Sequence, residues 1–109
     1  MYATAVTFQL LPDCLEAYKK AHDQLWPELV EAFRQNEVSM LIYHFEGRLF
    51  LYATAPSEEH MKRSHPPGVA EKWSAYMATM MITDDEGTTV MEEMDMVFAF
   101  GRYKEELGE

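Results

Sequence analysis

The hydrophobic pattern of this chain switches its period from two residues to about 3.6 and back, twice, and that switching restricts the architecture more than any single motif. Over residues 2–11, Val6, Phe8 and Leu10 alternate with Thr7 and Gln9, the period of a half-buried strand, and Pro12 closes it. Leu15, Tyr18, His22, Leu25, Leu29 and Phe33 then recur at helical spacing, with Asp13 and Glu16 placed as a capping box for the helix start. Pro27 has no amide hydrogen, so this helix must bend there or restart with Pro27 in its first turn. Either outcome puts Trp26 at a corner.

Residues 38–45 and 48–55 are two further strands, rich in aliphatic and aromatic side chains and joined through Glu46-Gly47 as a tight hairpin. Ser57 caps a short helix that ends before His65-Pro66-Pro67-Gly68. Over residues 69–81 the positions Val69, Trp73, Tyr76, Met77 and Met80 fall on one helical face and predict a second long helix. A DDEG loop follows, after which Met94, Met96, Phe98 and Phe100 alternate with Asp95, Val97 and Ala99 and predict the last strand.

No repeat, linker or low-complexity block divides the chain, so residues 1–109 read as one domain. The order strand, helix, strand, strand, helix, strand predicts an α+β fold, a ferredoxin-like βαββαβ sandwich with helices on one face of an antiparallel sheet. The other sheet face then needs cover. Pairing of two such sheets in a homodimer, a dimeric α/β barrel, supplies it.

Composition narrows the partners. Of the 109 residues, 48% are hydrophobic, enough for one small core, and 19 acidic residues against 9 basic ones leave a net charge of -10. A surface of that sign repels phosphate backbones and anionic lipid, so neither nucleic acid nor a membrane is expected as a partner. Cys14 is the only cysteine, which excludes an internal disulfide and fits a reducing compartment. The first residues lack the basic flank and apolar core of a secretion signal, and no apolar run is long enough to cross a membrane. These features together predict a cytoplasmic protein.

Tyr18, His22 and Trp26 stand at four-residue intervals, which places a phenol, an imidazole and an indole on one helix face. A neutral imidazole takes or gives a proton near pH 7. A buried phenol and imidazole each require a hydrogen-bond partner, whether ligand, water or backbone, so an internally satisfied His22 and one facing a pocket both fit. Trp26 reads as core filling the gap beside its proline. Trp73, Tyr76 and Met77 make an apolar wall suited to the face of a sugar ring and equally suited to packing on a sheet. Tyr43 and His44 occupy opposite faces of their strand, with the phase open. His60 and His65 make no ligand spacing with another histidine or with Cys14, so no metal site is expected, and no phosphate loop, nucleophile elbow or paired-cysteine motif is present. The nine methionines are pliable core or interface material.

The stretch YKKAHDQLWPELVEAF resembles the first-helix motif of the L-rhamnose mutarotase family, in which a tyrosine, a histidine four residues later and a Trp-Pro-Glu-Leu run recur. The similarity extends to an opening strand ending in Q-x-x-P-D, to IYHFEGRLFLYA and to EKWSAYMATMM. The resemblance implies a dimeric ferredoxin-like isomerase, an aldose mutarotase, that interconverts α and β anomers of L-rhamnose or a related deoxy-pyranose with neither metal nor organic cofactor. Its implied partner is a monosaccharide, with His22 as catalytic proton donor and Tyr18 and Trp73 as sugar contacts.

Two further positions implied to meet the substrate depart from the family: Ser74 stands where a second tryptophan usually follows the first, and Met40 where a sugar-binding tyrosine is usual. Thr83-Asp84-Asp85 replaces the family's Asn-Pro-Asp loop. These departures bear on which sugar hydroxyls are matched, because an unpaired polar group in a pocket is penalised. The base that would take the anomeric proton is open among Tyr18, a water and a carboxylate such as Glu28. Two rival readings are a dimeric α/β-barrel monooxygenase, cofactor-independent or haem-handling, and a non-catalytic sugar-binding or assembly module.

Overall fold

Phe8 and Leu49 show how the strand periods close a core. In a computed structural model of the chain, which describes residues 1–107, they face each other across two antiparallel strands and are each 2% exposed. The elements are β1 (Tyr2–Gln9), α1 (Leu15–Asp23), α2 (Pro27–Gln35), β2 (Ser39–Phe45), β3 (Arg48–Ala55), α3 (Glu58–Arg63), α4 (Pro67–Ala78), β4 (Met91–Glu93) and α5 (Arg102–Glu106). The sheet runs β2-β3-β1-β4, antiparallel throughout, as the ferredoxin-like order requires. On its helical face Phe8, Leu10 and Leu49 pack with Tyr18 and Ala21 of α1 and Met77 of α4. Each large apolar side chain buried there contributes about 1.5–3 kcal/mol.

Local chemistry explains the turns. Glu46 and Gly47 both take left-handed backbone, φ 51° and 83°, which a two-residue type I′ hairpin demands and glycine supplies without a Cβ penalty. Ser57 caps α3, its hydroxyl accepting from the His60 amide at 3.2 Å. Pro27 restarts the helix rather than bending it: it is the first residue of α2, with Trp26 at the cap position. Ile42 packs against the helical core, so His44 shares that face of β2 and Tyr43 points away from it.

Three expectations are corrected. The Asp13–Glu16 capping box does not form, because Asp13 sits in left-handed backbone (φ 64°) one residue before the helix junction at Cys14, and a box requires extended backbone at the cap itself. The second long helix begins earlier, at Pro67, and stops at Ala78. Met80 and Met81 lie beyond it yet stay buried, because the chain turns back along β1: the Leu11 amide donates to the Met80 carbonyl at 2.9 Å, and Met81 bridges to Leu10.

The last strand is also displaced, to Met91–Glu93. Residues 94–100 alternate as a strand does but leave the ladder after the Met94 amide bonds the Ala5 carbonyl at 2.9 Å, and Val97, Phe98 and Phe100 are 94%, 79% and 78% exposed. Alternation reports two different environments on the two sides of a chain; it does not supply the neighbouring strand. The segment and α5 instead pass over the non-helical face of the sheet, where Tyr52 meets Tyr103 edge to face at 6.2 Å.

Candidate active site

Helical spacing puts Tyr18 and His22 on one face of α1, and the packing of α1 against β1 buries the first and leaves the second half-buried. The Tyr18 ring is 5% exposed, 6.5 Å from the Phe8 ring and 4.3 Å from that of His22. Trp73 of α4 stands nearly perpendicular to the His22 ring, 5.3 Å away. Trp73 in turn stands nearly perpendicular to Trp26 at 5.1 Å and to Tyr76 at 5.7 Å, while Trp26 and Tyr76 lie parallel, 6.0 Å apart. Three helices thus assemble an aromatic wall around one imidazole.

A hydrogen bond sets the protonation pattern of that imidazole. His22 Nδ1 lies 2.9 Å from the Tyr18 carbonyl oxygen, and a carbonyl only accepts, so Nδ1 carries the hydrogen. Nε2 is left as the working nitrogen, a lone pair in the neutral ring and an N–H in the cation. Neither Nε2 nor the Tyr18 hydroxyl has a partner among the described residues. No sealed polar side-chain atom lacks one either, so neither tip is fully sealed from solvent. Burial pushes the Tyr18 hydroxyl well above the ordinary phenol value, because a phenolate would be poorly solvated there. At neutral pH it is an O–H group, able to donate.

The other expected positions are scattered around this cluster. Met40 is half-buried on the helical face of β2, opposite Ala53. Ser74 is exposed on α4, one residue and so about 100° round the helix from Trp73. Glu28 is exposed in the first turn of α2. Asp84 closes its own loop, accepting from the Glu86 and Thr88 amides at 2.9 and 3.0 Å. Trp26, expected as core, is half-buried and belongs to the wall, and Tyr76 is 41% exposed beside it. The sequence signal for that pairing, two aromatics three residues apart on α4 and a tryptophan at a helix corner, does not say that the helices meet there. Among the described residues no three of His, Cys, Asp and Glu cluster closely enough to hold a metal ion.

Comparison with known proteins adds the decisive observation. A family model described as L-rhamnose mutarotase matches residues 3–100. The chain belongs to the L-rhamnose mutarotase family. One relative, an L-rhamnose mutarotase of Jannaschia sp. (strain CCS1), is 36% identical over 86% of this chain and 93% of its own. The crystal structure of an L-rhamnose mutarotase from Formosa agariphila superimposes with a TM-score of 0.76 at 27% identity, over 93% of this chain and all of that one. A Nitrosomonas europaea protein described as an antibiotic biosynthesis monooxygenase aligns over 90% of this chain and 100% of its own with a TM-score of 0.59 and 16% identity. That likeness shows a shared fold alone.

Proposed function

We propose that the chain is a cofactor-independent aldose mutarotase that interconverts the α and β anomers of L-rhamnose or a related deoxy-pyranose, with His22 as the proton-transfer group. The observation that carries the role of His22 is its Nε2, left free by the Nδ1 bond to the Tyr18 carbonyl on a half-buried ring 4.3 Å from that of Tyr18.

Mutarotation moves one proton onto the ring oxygen and one off the anomeric hydroxyl, opening the ring to an aldehyde whose C1 turns before the ring recloses. Cationic His22 donates from Nε2 to the ring oxygen, and neutral Nε2 takes that proton back on closure. One nitrogen handles both directions at one oxygen. The anomeric proton needs a second group, and Tyr18 is unsuited to act as a phenolate because burial holds it neutral. Its hydroxyl instead orients the sugar by donating a hydrogen bond, and a water or a carboxylate such as Glu28 takes the proton. Acid–base assistance of this kind contributes roughly 10²- to 10⁴-fold.

Trp73 offers its face to the sugar ring, braced by Trp26 and Tyr76. With Ser74 exposed beside it and Met40 on the sheet, one stacking surface and one hydroxyl of the family pattern give way to a small polar and an apolar group, which shifts selectivity among deoxy-pyranoses. Saturation-transfer NMR of anomeric exchange across L-rhamnose, L-fucose and common pyranoses tests the reading; at least one deoxy-pyranose exchanges faster with the protein present. No acceleration across the panel overturns it, and binding without acceleration assigns a sugar-binding module. Trp73→Ala raises the half-saturating sugar concentration about tenfold, a loss of about 1.4 kcal/mol, with a smaller effect at saturation. An unchanged half-saturating concentration removes Trp73 from the sugar contact.

We also infer a homodimer. Leu41, Tyr43 and Phe45 of β2 are 55%, 66% and 66% exposed on the face away from the helices, an apolar strip that a second sheet would cover. Sedimentation then gives twice the 12.7 kDa chain mass, and Phe45→Glu shifts it to the monomer. A parent that sediments as one chain at micromolar concentration refutes the dimer. The lone, half-buried Cys14 supports a reducing, cytoplasmic setting, checked by cell fractionation, and no described helix is long and apolar enough to cross a membrane.

A further inference from the structure

The chain carries a charge of -10, yet one of its cavities is lined by Lys62, Arg63 and two histidines, with no acid in the lining. This cavity, about 610 Å³, lies between the end of α2 and the α3–α4 turn; its polar lining is Gln35, Asn36, His60, Lys62, Arg63 and His65, with Pro66 and Pro67 completing it. We propose that it binds the phosphate group of a small molecule, a second site separate from the mutarotase centre and independent of that reading.

Four features converge on this assignment. Lys62 and Arg63, neighbours on α3, line one cavity together with His60 and His65, two of the four histidines. Arg63 is positioned rather than loose: its Nε donates to Asn36 Oδ1 at 3.3 Å, and Asn36, 8% exposed, is itself held by its Nδ2 donating to the Ala32 carbonyl at 2.9 Å. The terminal guanidinium nitrogens, with only Glu59 at 4.0 Å from Nη1, keep the planar fork that matches phosphate oxygens. The two imidazoles are anchored likewise, His60 Nδ1 at 2.7 Å from the Ser57 hydroxyl and His65 Nδ1 at 2.9 Å from that of the fully buried Ser64, so that each ring keeps only Nε2 uncommitted.

The cavity is also an open cleft, so a phosphate held there can carry an organic group out into solvent. Two acids stand just outside the lining: Glu31, which accepts from the Gln35 side-chain amide at 3.0 Å, and Glu59, 4.0 Å from Arg63 Nη1 and exposed to solvent, where such a pair is worth little.

Placement keeps the two sites apart. α2 begins at the aromatic wall with Trp26 at its cap and ends at this cavity with Gln35; its nine residues span about 13 Å. α4 begins at the cavity with Pro66 and Pro67 and carries Trp73 and Tyr76 farther along. A plainer account of the cluster exists: Lys62 and Arg63 occupy the last turn of α3, whose carbonyl end favours cations. That account explains the sign of the charge but neither the tie from Arg63 to Asn36 on another element nor a lining without acids.

Titration of the full chain with inorganic phosphate, followed by amide NMR, decides between them. Saturable shifts confined to residues 35–36 and 60–68 are expected. The double variant K62Q/R63Q weakens binding at least tenfold, Arg63→Lys weakens it several-fold by losing the fork while keeping the charge, and K19Q/K104Q, with the same charge loss elsewhere, stays within twofold. Glucose 6-phosphate binding at the same amides, with glucose inert, assigns a phosphomonoester; binding by inorganic phosphate alone assigns the free ion, and both uphold the site. Diffuse or unsaturable shifts, or equal losses in the two double variants, overturn the proposal and leave the cations as complements to the α3 terminus.

Discussion

Replacing His22 by glutamine leaves the fold intact and slows anomer exchange by roughly 10²- to 10⁴-fold. Glutamine keeps an amide N–H on a side chain of similar reach, so local packing against Trp73 and the tie to the Tyr18 carbonyl are disturbed little. It has no nitrogen that alternates between donor and proton acceptor near neutral pH, which is the property the reaction uses. The expectation is strong because the reacting nitrogen is defined: a carbonyl 2.9 Å from Nδ1 leaves Nε2 alone to serve the sugar. Exchange is read by saturation transfer at matched sugar and protein concentrations, with circular dichroism to confirm the fold. A glutamine or alanine variant that equilibrates anomers at the parental rate removes His22 from the mechanism, whatever happens to sugar affinity.

Phe8→Ala lowers the unfolding free energy by about 3–5 kcal/mol, a large share of the roughly 5–15 kcal/mol typical of a domain. Phe8 is 2% exposed near the end of β1, opposite Leu49 and against the Tyr18 ring, so an alanine would leave its void inside the core. The same void withdraws support from the far side of Tyr18, so the variant also loses activity if it stays folded. Urea unfolding at fixed protein concentration measures the effect, the fixed concentration being needed because a dimer would add a mass-action contribution. A loss below about 1 kcal/mol would mean that β1 and α1 are not packed through Phe8.

These two residues mark how legible the molecule is from its chain alone. Phe8 announces its burial through alternation with Thr7 and Gln9, and the period holds because a strand must send successive side chains to opposite faces. The Glu46-Gly47 hairpin, the Ser57 cap and an interruption of the helix at Pro27 are readable for the same reason: each depends on backbone geometry within four or five residues, and the structure decides that Pro27 restarts the helix rather than bending it. Asp13 shows the limit of such rules. Its spacing from Glu16 suits a capping box, but the turn after Pro12 rotates it into left-handed backbone, and one residue of displacement is enough to lose the cap.

The site divides along the same line. Tyr18 and His22 are neighbours on one helix, so their pairing follows from a four-residue interval, and the likeness of that stretch to the L-rhamnose mutarotases named the chemistry before any coordinates did. Trp26, Trp73 and Tyr76 meet only because α2 and α4 pack together, and no periodicity within either helix encodes that contact. The position of β4 is likewise a matter of partnership: residues 94–100 have the alternation of a strand, yet Met91–Glu93 occupy the edge of β1. Short-range sterics and hydrogen bonding act between residues close along the chain and so are written in it. Which side chains face one another across 50 residues depends on the packing free energy of the whole domain, and that selected the aromatic wall, the strand beside β1 and the cavity at Lys62 and Arg63.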